Sequence, residues 1–240
     1  MTMKVEAFPD PDAAAHAAAE YIARAARAAA TERGRFNLAV SGGRTPWVML
    51  RQLAAMSLPW GAVELFQVDE RVAPAGDPDR NLTHMHESLL DHCPLREDQV
   101  HAMPIEESDL DGAAQRYAEV LRELAGAPPV LDLIHLGLGP DGHTASLIPW
   151  DPVLEVNDRD VAMTQPYQGH ERMTLTYPVL NRGRRILWLV TGDDKAGMLV
   201  QLVQGDRSIP AGRVAQNQAV IIADRAATVQ LAPHDIVSPV

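Results

Sequence analysis

The chain has 240 residues, a formal net charge of −11 at pH 7, and hydrophobic and charged fractions of 46% and 22%, which are ordinary for a globular protein. The acidic balance makes the chain a poor general binder of nucleic acid or anionic membranes, because both require a positive surface field, but a local basic pocket can still hold a small anion. Cys93 is the one cysteine, which excludes an internal disulfide framework and a cysteine-based zinc site. No apolar run is long enough to cross a bilayer and the N-terminal segment lacks a secretory pattern, so we expect a cytoplasmic protein.

In chain order, the pattern first predicts a helix over residues 10–33, with Asp10 or Asp12 as its N-cap and Gly34 at its end. Apolar runs then predict strands over 36–40, 62–68, 131–138, 161–165, 173–177, 185–191 and 219–224. Further helices are predicted over 45–56, 81–90, 108–125 and 193–205, the first three with Thr45, Asn81 and Ser108 as N-caps. Strands that alternate with helices predict an α/β fold of three layers, with helices on both faces of a mostly parallel sheet.

Four polar clusters directly follow predicted strands: SGGRT (41–45), DER (69–71), GPDGH (139–143) and TGDDK (191–195). The carboxyl ends of parallel strands lie at one edge of a sheet, where open α/β folds bind their ligands. We therefore expect the four clusters to line one crevice.

SGGRT has the character of a phosphate-binding loop, because two glycines before a helix N-terminus let backbone N–H groups approach an anion. Ser41, Arg44 and Thr45 add hydroxyl or charged donors to the amides of Gly42 and Gly43. The spacing differs from a Walker A loop. A tight strand-to-helix turn without a ligand is the alternative interpretation.

Three basic residues outside that loop are candidate ligands for an anion. Arg71 follows a strand and suits a phosphate or a developing oxyanion, although charges at a strand end are also common on solvated rims. Lys195 lies in the first turn of a predicted helix, where the helix dipole disfavours a cation, so either an anionic ligand or pairing with a neighbouring aspartate explains it. Arg172 is a further possible donor or a surface charge.

Residues 137–142 contain a G-x-G-x-x-G pattern, which by itself suggests a dinucleotide loop. The context argues against this interpretation, because a dinucleotide loop opens a helix and here His143 and a segment with two prolines follow. Asp141 and His143 instead suggest a general base whose tautomer is fixed by a carboxylate. The alternative is a histidine that only stabilises its own turn.

Other chemistry has weaker support in the sequence. His84 and His86 are two residues apart on a predicted helix and face different directions, and no metal-ligand motif occurs, so we expect no metal. Ser146 lacks the surroundings of a nucleophile elbow.

Taken together, SGGRTP, VDER with the downstream Asn81, GLGPDGHTASLIP, RMTLTYPVLN and VTGDDKA resemble the 6-phosphogluconolactonase family over roughly residues 35–225. The resemblance implies a single Rossmann-like domain over residues 1–240, shared in fold with glucosamine-6-phosphate deaminases. It implies hydrolysis of 6-phospho-D-glucono-1,5-lactone to 6-phosphogluconate without metal or organic cofactor. It also implies a catalytic His143 assisted by Asp141, with the site arginine at Arg71. The positions implied to hold phosphate or sugar are Ser41, Gly42, Gly43, Arg44, Thr45, Arg172 and Lys195.

Two alternatives stay open within this resemblance. A sugar-phosphate deaminase or isomerase shares the Asp-Gly-His segment, but deaminases of that type carry a glutamate directly before the proline, where this chain has Ile148. A non-catalytic sugar-phosphate sensor would bind its ligand without turnover. The expected partner is a small sugar-phosphate lactone, with neither nucleic acid nor membrane, and the expected state is a monomer or a weak homo-oligomer.

Overall fold

The computed structural model describes residues 3–237 of the chain. Its helices are α1 (Pro11–Arg33), α2 (Arg44–Ala54), α3 (Asn81–Ser88), α4 (Leu110–Ala125), α5 (Tyr177–Arg182), α6 (Ala196–Gln204) and α7 (Arg225–Thr228). Its strands are β1 (Val5–Phe8), β2 (Phe36–Val40), β3 (Val63–Gln67), β4 (Asp69–Arg71), β5 (Val100–His101), β6 (Leu133–Leu136), β7 (Val161–Met163), β8 (Arg172–Leu175), β9 (Ile186–Val190), β10 (Ala219–Asp224) and β11 (Ile236–Val237).

Eight strands form one sheet in the order β11-β1-β10-β9-β6-β2-β3-β5, and every neighbouring pair is parallel. Two hydrophobic cores lie on its two faces, because successive strand residues point in opposite directions. In β2, for example, Leu38 belongs to the core beneath α1 and α2, whereas Ala39 belongs to the core beneath α4. The predicted three-layer α/β architecture is confirmed.

Helix α1 forms as its sequence predicts. The Asp10 carboxylate accepts a hydrogen bond from the Ala13 amide at 2.8 Å, and Gly34 ends the helix with φ = 70°. Its buried face is almost entirely alanine, which lets the helix pack closely against the sheet and α2. Within residues 3–237, none of the helices combines the length and the apolar character needed to cross a bilayer.

The three N-caps predicted for the later helices are wrong. Helix α2 has Gly43 at its N-cap, and the hydroxyl of Thr45 lies 2.6 Å from that of Thr191. Helix α4 is capped one residue later than expected, since Asp109, not Ser108, accepts the Gly112 amide.

Helix α3 begins at Asn81, yet the side chain that caps it belongs to Glu70 on the preceding strand. The Glu70 carboxylate accepts hydrogen bonds from the backbone amides of Asn81 at 2.7 Å and Leu82 at 2.8 Å. The same carboxylate accepts the Arg71 amide and the Gln67 side-chain amide. A fully buried acid therefore joins β3, β4 and the start of α3.

A second, antiparallel sheet of three short strands, in the order β4-β8-β7, was not predicted. The DER segment is itself β4, and it pairs with β8 so that Arg71 lies opposite Arg172. The pairing brings residues about a hundred positions apart next to each other. This small sheet begins directly after β3 of the large sheet, and its residues Asp69, Arg71 and Arg172 line the cavity described below.

Candidate active site

A cavity of about 600 Å³ opens at the carboxyl edge of the parallel sheet, and residues from all four polar clusters line it. Of the predicted site residues, only Asp141 is absent from the lining, and it reaches the cavity through His143. The predicted residues that line the cavity are Ser41, Gly42, Gly43, Arg44, Thr45, Arg71, His143, Arg172 and Lys195.

His143 and Asp141 form a hydrogen-bonded pair at one wall of this cavity. The Asp141 Oδ1 atom lies 2.5 Å from His143 Nδ1 and 3.2 Å from the His143 backbone nitrogen. This side-chain hydrogen bond holds the pKa of the Asp141 carboxyl well below its usual range. Because a carboxylate only accepts, Nδ1 carries a hydrogen and the neutral ring keeps its lone pair on Nε2.

The pair is presented by a tight turn built on glycine. The Gly139 amide donates to the His143 carbonyl at 2.8 Å, and a Cβ added at Gly139 would lie 2.1 Å from His143 Nδ1. Gly142 has φ = +81°, a region that favours glycine. After the turn Thr144 pairs with Leu147 in an isolated bridge, and no helix begins directly after Gly142. The G-x-G-x-x-G pattern is therefore not a dinucleotide loop.

The SGGRT loop faces the same cavity from the start of α2. A Cβ at Gly42 would lie 2.1 Å from Asn81 Oδ1, and Gly43 has φ = +136°. Both positions therefore require glycine. The Ser41 hydroxyl is buried and has no hydrogen-bond partner within residues 3–237. Free amides at a helix N-terminus and an unpaired hydroxyl form a site suited to an anion.

Arg71 and Arg172 add two positive charges from the antiparallel sheet. The Arg71 guanidinium donates to the Asp79 carbonyl at 2.7 Å, which fixes its direction. Arg172 is buried, and burial lowers the pKa of its guanidinium whereas the nearby Asp69 carboxylate acts in the opposite direction. Like charges opposite each other destabilise a strand pair, so an anionic ligand would stabilise this arrangement.

The TGDDK segment closes the cavity on the remaining side. Lys195 forms an ion pair with Asp194, so the pairing foreseen as one of two explanations is present, and both side chains line the cavity. The buried Asp224 carboxylate accepts the Gly192 amide at 3.1 and 3.2 Å. Asp224 therefore anchors the loop that carries Lys195.

Ser146 and Ile148 bear on the alternative chemistries. Ser146 is fully buried and its hydroxyl donates to Asp69 Oδ2 at 2.7 Å, so it is not presented to a ligand as a nucleophile. Ile148 is only 5% exposed and is not part of the cavity lining. The position at which a deaminase of this type carries its glutamate is thus buried and aliphatic here.

Sequence reasoning missed Tyr167, which donates a hydrogen bond from its hydroxyl to Asp141 Oδ2 at 3.1 Å. A tyrosine within a loop gives no local signal in the sequence. Asp69 and Thr191, which belong to the DER and TGDDK clusters, line the cavity as expected for those clusters, and Thr191 contacts Thr45.

His84 and His86 have ordinary polar contacts. His84 lies 3.0 Å from a Glu87 carboxylate oxygen, and His86 lies 3.2 Å from one of Asp91. Among the residues that the structure describes, no group of three or more His, Cys, Asp or Glu side chains could hold a metal ion.

Comparison with known proteins gives concordant matches. The model of the family described as glucosamine-6-phosphate isomerases/6-phosphogluconolactonase matches residues 9–222. The chain is 36% identical to the 6-phosphogluconolactonase of Mycobacterium tuberculosis, an alignment that covers 96% of this chain and 99% of that protein. It is 39% identical to the Synechocystis 6-phosphogluconolactonase over 72% and 74% of the two chains. The crystal structure of Thermotoga maritima 6-phosphogluconolactonase superposes with a TM-score of 0.83 at 26% identity, covering 92% of this chain and 99% of that one.

Proposed function

The chain belongs to the glucosamine-6-phosphate isomerase/6-phosphogluconolactonase family, and we propose that it is a hydrolase that converts 6-phospho-D-glucono-1,5-lactone to 6-phospho-D-gluconate. This reaction is the second step of the oxidative pentose phosphate pathway. One observation carries the proposal: the His143–Asp141 pair faces the same cavity as the glycine loop and the basic side chains. Such a cavity places a general base within reach of a phosphorylated substrate.

In the proposed mechanism His143 Nε2 removes a proton from water as the oxygen attacks the lactone carbonyl carbon, C1. Arg71 or nearby backbone N–H groups stabilise the oxyanion of the tetrahedral intermediate. The C1–O5 bond then breaks, and the imidazolium gives its proton to the ring oxygen. Asp141 holds the imidazole in the required tautomer and stabilises its transient charge.

The assistance required of His143 is modest. A positioned acid–base group accelerates a reaction by roughly 10²–10⁴-fold. A sugar lactone is an activated ester, so direct attack by water at this level of assistance needs no covalent intermediate. The buried, hydrogen-bonded Ser146 agrees with this mechanism.

The opposite end of the substrate carries the phosphate, which we assign to the SGGRT loop together with Lys195 and Arg172. The amides after Ser41 and the N-terminus of α2 supply a positive potential, and the side chains supply charge. A phosphate held there fixes the ring relative to His143 and makes the attack effectively intramolecular. Phosphate entering the site would compete with Asp194 for Lys195.

The deaminase alternative is disfavoured by Ile148. Ring opening and amine loss use an acid/base carboxylate at this position, and here an aliphatic side chain is buried in its place. The cytoplasmic location and the monomeric or weakly oligomeric state stay predictions.

The decisive experiment replaces the proposed general base. We expect His143→Ala to lower kcat by at least about 100-fold, because it removes the proton transfer, while the protein remains folded. Freshly generated 6-phosphogluconolactone is followed with the spontaneous hydrolysis rate subtracted, and ammonia release from glucosamine 6-phosphate is measured in parallel.

His86→Ala is the matched control, since His86 is an exposed histidine outside the cavity. It should retain wild-type turnover. A His143→Ala enzyme with near wild-type kcat would contradict the proposed role of His143. Ammonia release by the wild type without lactone turnover would contradict the proposed function.

A further inference from the structure

Tyr167 lies in the loop between β7 and β8 and contacts the Asp141 carboxylate through the oxygen that His143 does not use. Its hydroxyl donates to Asp141 Oδ2 at 3.1 Å, while Asp141 Oδ1 is occupied by His143 Nδ1 at 2.5 Å. The tyrosine ring stands edge-on to the His143 ring with centroids 5.9 Å apart. Oδ1 is thus held by His143 and Oδ2 by Tyr167, which fixes the plane of the carboxylate.

The loop places Tyr167 in a defined position. Residues 167 and 170 pair with each other through their backbones, and Gln168 and Gly169 between them have φ = 52° and 88°. The His170 ring contacts the Val72 carbonyl and the Asp79 carboxylate, each at 3.1 Å. This tight turn is thus attached to the segment that follows β4.

Tyr167 also contacts a residue of the anion pocket. The Arg172 guanidinium lies over the face of the Tyr167 ring, 5.0 Å from its centroid, a geometry typical of a cation–π contact. A guanidinium nitrogen of Arg172 is also 3.4 Å from the Tyr167 carbonyl. One tyrosine therefore touches both the partner of the base and a phosphate-binding candidate.

The hydroxyl is suited to donate. Burial, reinforced by the Asp141 charge, raises the pKa of Tyr167, so the hydroxyl stays protonated at neutral pH. Tyr167 is not among the cavity-lining residues, so its contacts with the site run through Asp141 and Arg172.

We propose that Tyr167 is a positioning residue of this enzyme: its hydroxyl holds the Asp141 carboxylate in the orientation that aligns His143, and its ring holds Arg172 in the anion pocket. The inference rests on the proposed function. It assigns to one side chain two separable effects, one on kcat through the hydroxyl and one on KM through the ring.

The test separates the hydroxyl from the ring with two substitutions. Tyr167→Phe should lower kcat about tenfold and change KM less than twofold, because it removes only the hydrogen bond to a charged acceptor. Tyr167→Leu should lower kcat similarly and also raise KM about three- to fivefold, because Arg172 loses the ring beneath it. Tyr21→Phe on α1 is the matched control and should leave both constants and the melting temperature unchanged.

A double-mutant cycle decides whether Tyr167 acts through Asp141. In an Asp141→Ala background, Tyr167→Phe should cause no further loss of kcat, because the acceptor of its hydroxyl is gone. An equal loss of kcat in the presence and absence of Asp141, or a Tyr167→Phe enzyme within twofold of the wild-type kcat, would overturn the proposal. Melting temperatures of all variants show whether any loss follows from unfolding.

The two proposals fail in different ways. If the wild type does not turn over the lactone, the proposed function is wrong whatever Tyr167 does. If the wild type hydrolyses the lactone, His143→Ala is inactive and Tyr167→Phe matches the wild type, the function stands and only the role of Tyr167 is wrong.

Discussion

The two glycine-rich loops of the site differ in what their glycines make room for. At Gly42 the missing Cβ leaves space for the Asn81 side chain, and the loop then runs directly into α2. At Gly139 the missing Cβ leaves space for the His143 ring, and no helix begins directly after the loop. The first loop presents backbone amides at a helix N-terminus, whereas the second positions a side chain. The element that follows a glycine pattern therefore tells more about its function than the glycine spacing.

Among substitutions in the two loops, Gly139→Ala is expected to have the largest effect on activity. The new Cβ would lie 2.1 Å from His143 Nδ1, so the imidazole must move away from its place beside Asp141. We expect kcat to fall about 100-fold with little change in KM, because a displacement of about 1 Å at a reacting group costs this much. Steady-state lactonase kinetics measure both constants.

Gly137→Ala is the natural comparison within the same loop, since Gly137 also lines the cavity but a Cβ there meets no protein atom within 4 Å and its φ is not positive. It should stay within about threefold of the wild type. Equal losses in the two variants would mean that the loop tolerates no side chain at all, and that the His143 contact is not the cause.

A smaller effect of a different kind is expected from Gly42→Ala. Its Cβ would lie 2.1 Å from Asn81 Oδ1 and 2.9 Å from the Trp47 ring, so the SGGRT loop must shift relative to α3. We expect KM for the phosphorylated lactone to rise about tenfold and kcat to change less, since displaced amides weaken anion binding. Gly61→Ala, which meets no neighbouring atom, is the control. A fall in kcat at constant KM in Gly42→Ala would contradict the assignment of anion binding to the SGGRT loop and of His143 placement to the Gly139 loop.

The smallest expected effect is on the pH dependence of folding stability, through a histidine that contacts the start of the SGGRT loop. His135 on β6 is fully buried, burial lowers its pKa to about 3, and its Nδ1 accepts the Ser41 amide at 3.4 Å. In the unfolded chain a histidine binds a proton below about pH 6.5, so between pH 6.5 and 3 the unfolded state holds the extra proton. Stability should therefore fall with decreasing pH, by at most about 1.4 kcal/mol per pH unit from this group.

Thermal unfolding of His135→Leu between pH 7.5 and 4.5 checks this sign. The variant should show a shallower loss of melting temperature on acidification than the wild type. His86→Leu, which removes an exposed histidine, should keep the wild-type slope. Parallel curves for His135→Leu and the wild type would show that His135 is not responsible.

The parallel sheet and the edge at which the polar clusters meet were predictable, because period and strand-end position are local properties of the sequence. The antiparallel sheet could not be predicted, since β4 and β7 have only three residues each and form strands only by pairing with β8, which is distant in sequence from β4. The cap of α3 was missed for the same reason: its acceptor, Glu70, lies outside the helix sequence. Tyr167 gave no signal because its role depends on a contact with Asp141, 26 residues away.

Substitutions at neighbouring residues of the DER segment should have different consequences in living cells. Its outer residues line the cavity, but the middle one, Glu70, is fully buried and accepts hydrogen bonds from four donors in three parts of the fold. A substitution there leaves buried donors without acceptors, which lowers folding stability. Its phenotype would be reduced abundance through proteolysis and aggregation, whereas loss of Arg71 would leave a normal amount of defective enzyme.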